Sequence, residues 1–268
     1  MNNHFFFSYA GNKRQEIKII YDEIEPSLKD VKTIIEPYCG SSAMSYYIST
    51  KHPKEYKYIL NDNNKMLIML YKLVQEGTKE KEVEDKINKY VIKFNECKTN
   101  EERKIYYNNI LKDNGCICSY IFINKYYNLR QGLCPLFERT KELKPFKFSN
   151  HPIYNFIKNE NVTFMNEDAL KIINDNKDKK DILLLLDPPY IGTCNDFYID
   201  KSMNVYEYLY NNNNNINKFV CFIYLILENI SINKLLFSSN NISDPYDKQY
   251  EMSKKKTTHI IISKKNVK

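Results

Sequence analysis

Tryptophan is absent from this chain, and glycine (6) and histidine (4) are sparse for 268 residues. With so few glycines there is no G-x-G-x-x-G turn, which disfavours a loop built to cradle a pyrophosphate. The four histidines form no metal-like pair, and the seven cysteines (39, 97, 116, 118, 134, 194 and 221) include no Cys-x-x-Cys. A structural zinc site and metal-dependent hydrolysis are therefore not expected. An odd, scattered set of thiols suits a reducing, cytosolic-type compartment better than a disulfide framework. The longest apolar stretch, Phe219 to Leu227, is far short of the ~20 residues that span a bilayer. The first residues show no signal-peptide pattern. No membrane association is expected.

What is present is one sizeable core and a mild positive balance. Forty Lys and Arg stand against 33 Asp and Glu, a net charge of +7. That permits a polyanionic partner without requiring one, because a solvated lysine-rich surface gives the same value. Abundant Lys, Asn, Ile and Tyr point to an AT-rich coding genome.

Residues 15–25 have helical spacing, with Pro26 as the expected stop. Val31 to Ile35 reads as a short strand, followed by a turn at Gly40 and a helix with Ser41 or Ser42 as N-cap. Tyr56 to Leu60 reads as a second strand and Lys65 to Val74 as a helix. Residues 79–112 are charged and helical, and 116–130 are aromatic-rich. Strand signals return at Val162 to Met165 and at 182–186. The run Asn211 to Asn215 is a loop signal, 218–229 reads as an apolar helix, and Leu235 to Ser238 and His259 to Ser263 as late strands. Strands alternate with helices at both ends, around an all-helical middle. The expected fold is an α/β sheet made by 1–74 and 151–268, with 75–150 as an inserted helical lobe.

The most informative stretch is Ile182 to Tyr190, ILLLLDPPY. An uninterrupted apolar run ending in Asp-Pro-Pro-Tyr reads as a buried parallel strand that delivers a carboxylate to its C-terminal edge. Pro188 and Pro189 end strand pairing and stiffen the turn. Asp187, the Pro188 carbonyl and the face of Tyr190 together suit a planar amine. Open α/β sheets bind ligands at this edge. The plainer reading is a strand that stops at a Pro-Pro turn.

A second constellation is strand, EPYCG, helix, strand, Asp62. A glycine at a strand-to-helix turn lets a ligand approach the backbone, and an acid about 20 positions on can accept from a ribose diol. Glu36, Gly40 and Asp62 are the candidates, against the alternative of a sheet edge with surface acids. At the N-terminus, Tyr9, Ala10, Gly11 and Lys13 precede the first helix. Gly11 suits a tight turn, and Lys13 and Tyr9 suit a carboxylate and an aromatic ring of a ligand. The alternative there is a basic arm capping a helix.

Taken in order, SYAGNKR, IIEPYCGSSAMS, YILND, a long insert and LLLLDPPY resemble the adenine-specific DNA methyltransferases of the DNA adenine methylase type, known from phage and enteric bacteria. The resemblance covers nearly the whole chain as an ordered set of motifs. It implies a Rossmann-like methyltransferase sheet with a helical DNA-recognition insert, and S-adenosyl-L-methionine as cofactor. It puts Tyr9, Ala10, Gly11 and Lys13 in the cofactor motif, with Glu36 and Gly40 in the turn after the first strand. Asp62 falls on the ribose, Asp168 near the cofactor adenine, and Asp187 where cofactor and target base meet. Ile123 to Gly132, which includes Asn128, looks like the family's DNA-contacting segment. Ser238-Ser239-Asn240 looks like its later strand-end motif. The Ser41-Ser42 turn and the Asn run depart from the family pattern.

Between Lys125 and Phe148, six basic residues (Lys125, Arg130, Arg139, Lys141, Lys144 and Lys147) stand against two acidic ones. Tyr126, Tyr127, Phe137, Phe146 and Phe148 are interleaved. Basic side chains neutralise phosphates and aromatics stack on bases. The alternative is a solvated face over a small aromatic core. Residues 79–104 mix both signs and read as a scaffold.

These expectations converge on transfer of a methyl group to the exocyclic amine of adenine in duplex DNA, by an enzyme of the cytoplasm or nucleoid, or of a host cytoplasm if viral. Asp187, Pro188, Pro189 and Tyr190 form the catalytic set, with no metal and with the base flipped out of the helix. The alternatives are amino methylation of cytosine, RNA or a protein amide, and a catalytically idle nucleic-acid-binding protein on the same scaffold.

Overall fold

The computed structural model describes residues 4–9, 11, 13–113, 115–126, 142–190, 203–211, 216–249 and 256–264. Ala10, Asn128, Arg130, Arg139 and Lys141 lie outside the described residues. The chain divides into two compact units, residues 1–10 with 66–159 and residues 11–65 with 160–268.

The second unit carries the sheet. Its described elements run α1 (Ile17–Leu28), β1 (Thr33–Glu36), α2 (Ala43–Lys51), β2 (Lys57–Asn61), β3 (Val162–Met165), α8 (Ala169–Asn176), β4 (Ile182–Leu186), α9 (Met203–Asn211), β5 (Phe222–Glu228), α10 (Ser231–Leu236), β6 (Asn241–Ile242), β7 (Tyr246–Gln249) and β8 (Lys256–Ser263). The strand order is β3-β2-β1-β4-β5-β8-β6, with β7 also on β8. The first five strands are parallel, and β6, β7 and β8 add antiparallel pairs. Every residue of β4 is buried, which accounts for its unbroken apolar run. The expected sheet is therefore present.

Three local expectations are corrected. The 218–229 stretch holds β5, paired with β4 from Leu183↔Phe222 to Leu186↔Leu225. An apolar run buried on both faces carries neither a helical nor an alternating period, so sheet pairing decides it. Leu235 and Leu236 belong to helix α10 rather than a strand, and Ser238 to Asn240 form the turn after it. Helix α1 continues past Pro26 to Leu28. Buried Ile17, Ile20, Tyr21, Ile24 and Leu28 lie on one helical face, and Leu28 holds the last turn in the core.

The first unit is helical: α3 (Lys65–Glu76, most of it in this unit), α4 (Glu80–Glu96), α5 (Asn100–Lys112), α6 (Ile117–Tyr126) and the short α7 (Tyr154–Ile157). Helix α4 packs on α6, with Tyr90 edge-on to Phe122, and buries Val83, Ile87, Val91 and Phe94. A capping box between Thr99 and Glu102 starts α5. The N-terminal Phe5, Phe6 and Phe7 are buried here, edge-on or tilted against Tyr71, Phe148 and Tyr120. Among the described residues, no helix is long and apolar enough to cross a membrane.

Candidate active site

Strands β2 and β3 step away from β1 on one side, and β4 lies on the other. The strand order thus reverses between β1 and β4, and the crevice at their carboxyl ends is where an open α/β sheet takes a ligand. Glu36 ends β1, and Asp187 follows β4.

The turn after β1 is tightly determined. Gly40 and Ser42 are both left-handed, at φ 46° and 52°. Ser42 occupies the N-cap position of α2 but makes no side-chain cap, contrary to expectation. The carboxylate of Glu36 takes over, accepting from Ser45 N at 2.8 Å and from the Ser45 hydroxyl. Burial pushes the Glu36 carboxyl up to about 7; Asp187 adds to that, and Ser45 and Lys13 oppose it.

Asp62 lies just past β2. Its Oδ2 accepts from Gly40 N and its Oδ1 from Asn64 N, both at 2.9 Å. Burial raises its pKa, against those two backbone bonds. Beside it, Asn61 is fully buried and ties three strand ends together. Its Nδ2 donates to Pro37 O and Glu167 O, and its Oδ1 accepts from Glu167 N. In the sequence, the one signal for Asn61 is a polar residue ending an apolar strand. Asp168 caps α8 by accepting from Leu170 N at 2.7 Å, and it is exposed.

The Pro-Pro turn brings Asp187 and Tyr190 together, with the Tyr190 hydroxyl donating to Asp187 Oδ1 at 2.9 Å. The Pro189 carbonyl accepts from the Tyr206 hydroxyl at 3.2 Å. Lys13 meets a carboxylate of the protein itself, with Nζ 2.5 Å from Asp187 Oδ2. It also donates to the carbonyl of Gly11, a residue at φ 74°, and stands 5.3 Å from the Tyr190 ring centroid. Tyr9 belongs to the other unit, where its ring lies edge-on to Phe5.

Behind these residues lies a cluster that no motif announced. Glu16 is fully buried; it pairs with Lys248 of β7 through Oε1, and its Oε2 lies 2.6 Å from His259 Nδ1 of β8. Burial alone would raise the Glu16 carboxyl, but Lys13, the His259 hydrogen bond and Lys248 outweigh it and bring it down to about 2. An ionised carboxylate can only accept, so His259 Nδ1 carries the proton of that bond. The His259 ring meets Tyr190 edge-on at 5.0 Å.

In the helical unit, the segment from Leu143 to Phe148 runs along α4, pinned by its side chains. Asn95 exchanges two hydrogen bonds with the Leu143 backbone, and Asn88 two with Phe146. Glu84 accepts from Phe148 N. Leu143, Phe146 and Phe148 point inward, while Lys144 and Lys147 are exposed. Lys125, on α6, is half-buried, and burial lowers its pKa. Tyr126, Phe146 and Phe148 are core residues, in line with the alternative of a small aromatic core; Tyr127 and Phe137 lie outside the described residues. Within residues 79–104, α4 is the scaffold that supplies these clamps.

A family model for D12 class N6 adenine-specific DNA methyltransferases matches residues 9–260. The chain is also similar to the type II methyltransferase M.MjaIII of Methanocaldococcus jannaschii, at 28% identity over 134 residues. That match covers 45% of this chain and 44% of the relative, so the chain aligns with less than half of that protein's length.

Proposed function

This chain belongs to the D12 class N6 adenine-specific DNA methyltransferase family, and we propose that it transfers a methyl group from S-adenosyl-L-methionine to the exocyclic amine of adenine in duplex DNA. The observation that carries the reading is the placement of Asp187, Pro188, Pro189 and Tyr190 at the carboxyl end of β4, beside the point where strand order reverses.

The residues at the neighbouring strand ends fit the cofactor. Asp62 is held by two backbone amides, and each carboxylate oxygen keeps a lone pair for a ribose hydroxyl. The left-handed Gly40 brings backbone close to that carboxylate. Glu36, at the end of β1, offers an acceptor to a cationic group. When bound, the cofactor supplies an electrophilic methyl on a sulfonium.

The adenine amine is a poor nucleophile because its lone pair is delocalised into the ring. Hydrogen bonds from that amine to Asp187 and to the Pro188 carbonyl favour the tetrahedral nitrogen that can attack. Tyr190 supplies a face for the ring. The contribution of these groups is position and electrostatics. The base must leave the duplex to reach them. In the helical unit, exposed Lys144 and Lys147 suit the phosphate backbone. Asn128, Arg130, Arg139 and Lys141 remain proposed DNA contacts on sequence grounds.

The test is incubation with methyl-labelled cofactor and duplex DNA, then digestion to nucleosides. Label in N6-methyldeoxyadenosine is expected. Label in cytosine, in RNA or in protein would overturn the substrate. Cofactor binding with no transfer to any of them would overturn the activity.

A further inference from the structure

Four side chains that ordinarily sit at the surface are buried behind Asp187: Lys13, Glu16, Lys248 and His259, none more than 5% exposed. Their contacts close a ring. Asp187 Oδ2 meets Lys13 Nζ, and Lys13 and Glu16 are joined by one backbone turn, Glu16 N donating to Lys13 O at 3.0 Å. Glu16 meets His259, His259 meets the Tyr190 ring, and the Tyr190 hydroxyl returns to Asp187. Lys248 joins at Glu16. Replacing a buried ionic cluster with apolar side chains is often neutral or stabilising, so such a cluster is weak evidence for stability. Its place against Asp187 is what gives it meaning.

The signs of the charges matter most. Lys13 and Lys248 bring two ammonium groups into the buried region, and Asp187 and Glu16 bring two carboxylates. Glu36 also interacts with Lys13 and Asp187, but burial pushes its carboxyl up to about 7, so without Glu16 only Asp187 and this partly protonated group would face the two cations, and the region would be net positive. A sulfonium donor is itself cationic. During transfer the new N–C bond forms as the C–S bond breaks, and the C–S electron pair stays on sulfur, which becomes a neutral thioether. Positive charge passes to the amine nitrogen, which then releases one proton to solvent. A net positive wall would oppose both donor binding and the arrival of charge at nitrogen.

We propose that Glu16 is the charge-compensating and positioning residue that lets this site accept a cationic methyl donor, by offsetting Lys248 while its backbone turn holds Lys13 on Asp187. This rests on the reading of S-adenosyl-L-methionine as cofactor. It predicts discrimination by charge, which a merely structural role would not produce.

The experiment is titration calorimetry on the full chain with two ligands of nearly the same shape: cationic S-adenosylmethionine and its neutral thioether product, S-adenosylhomocysteine. Glu16→Gln should weaken the sulfonium more than the thioether, raising the ratio of their dissociation constants by about tenfold. Lys248→Met should move the ratio the other way. Glu16→Gln with Lys248→Met restores the wild-type charge balance and should bring the ratio back to within about threefold of wild type. Both constants come from one protein sample, so partial unfolding cancels in the ratio. Equal weakening of both ligands in Glu16→Gln, or a double variant no closer to wild type than the single one, would overturn the role of Glu16 while leaving the cofactor assignment intact. Wild-type protein that binds neither ligand would overturn the cofactor assignment and this inference with it.

Discussion

The Tyr190 hydroxyl donates to Asp187 Oδ1 at 2.9 Å, so the ring proposed to face the base is tied to the carboxylate proposed to hold its amine. Lys13 occupies the other oxygen. Each oxygen keeps one lone pair, so an incoming amine shares an oxygen with one of these donors or displaces it. Tyr190→Phe keeps the ring and should hold kcat/KM within about threefold. Tyr190→Ala should lower it by at least about tenfold, the scale of one base–aromatic stack. If steady-state rates show equal losses in the two variants, the hydroxyl matters and the stacking role is wrong.

Asp187→Ala should reduce transfer at least about a hundredfold, because the lost contact falls on the transition state. It also strands the buried Lys13 ammonium. Folding stability should drop by about 3 kcal/mol, the low end for removing one partner of a buried pair because the Asp187 side chain is 27% exposed. Adding Lys13→Met should recover the stability in denaturant melts and none of the activity. A folded Asp187→Ala variant with near-wild-type turnover would remove Asp187 from the mechanism.

Glu36 has a folded-state pKa pushed by burial to about 7, above its ordinary 4.5. The folded chain then binds this proton more tightly than the unfolded chain, so Glu36 adds stability as pH falls from about 7 towards 4.5. Glu16 has the opposite sign. Its pKa lies at about 2, so its contribution is present above 4.5 and is lost as pH falls from there through 2. Glu36→Gln should flatten the rise in Tm on going from pH 8 to pH 5. A slope unchanged from wild type would show that Glu36 does not titrate in this window.

Lys144 and Lys147 project from a segment held by Asn88 and Asn95. If both meet phosphates, Lys144→Gln with Lys147→Gln should weaken binding to target and random duplex alike. The slope of log affinity against log salt should become shallower by about two. Unchanged affinity and slope across a salt series would take both lysines out of the interface.

What could be read along the chain was whatever short-range pattern encodes. The run Ile182 to Leu186 announces a strand buried on both faces, and the Asp-Pro-Pro-Tyr after it announces an edge where pairing stops and a carboxylate is presented. The order of motifs carried the family. The run at 222–228 was misread because its apolar residues are continuous; without a period, only the β4 and β8 partners choose strand over helix. The aromatics at 126, 146 and 148 were ambiguous for a related reason: composition does not say which way a side chain points, and burial in the helical unit settles that.

The sequence alone determined the sheet class, the Asp-Pro-Pro-Tyr edge and the acids at the first two strand ends, because each depends on neighbours within a few residues. Tertiary structure alone decided the buried charge. Glu16 and Lys248 stand 232 positions apart, and Asn88 reaches Phe146 across 58. A lone Glu in the residues leading into α1 or a lone Lys in a late strand has no local signature. Each acquires its role only when folding removes water from around it and leaves one particular partner within reach, and the strength of that pairing comes from the burial itself.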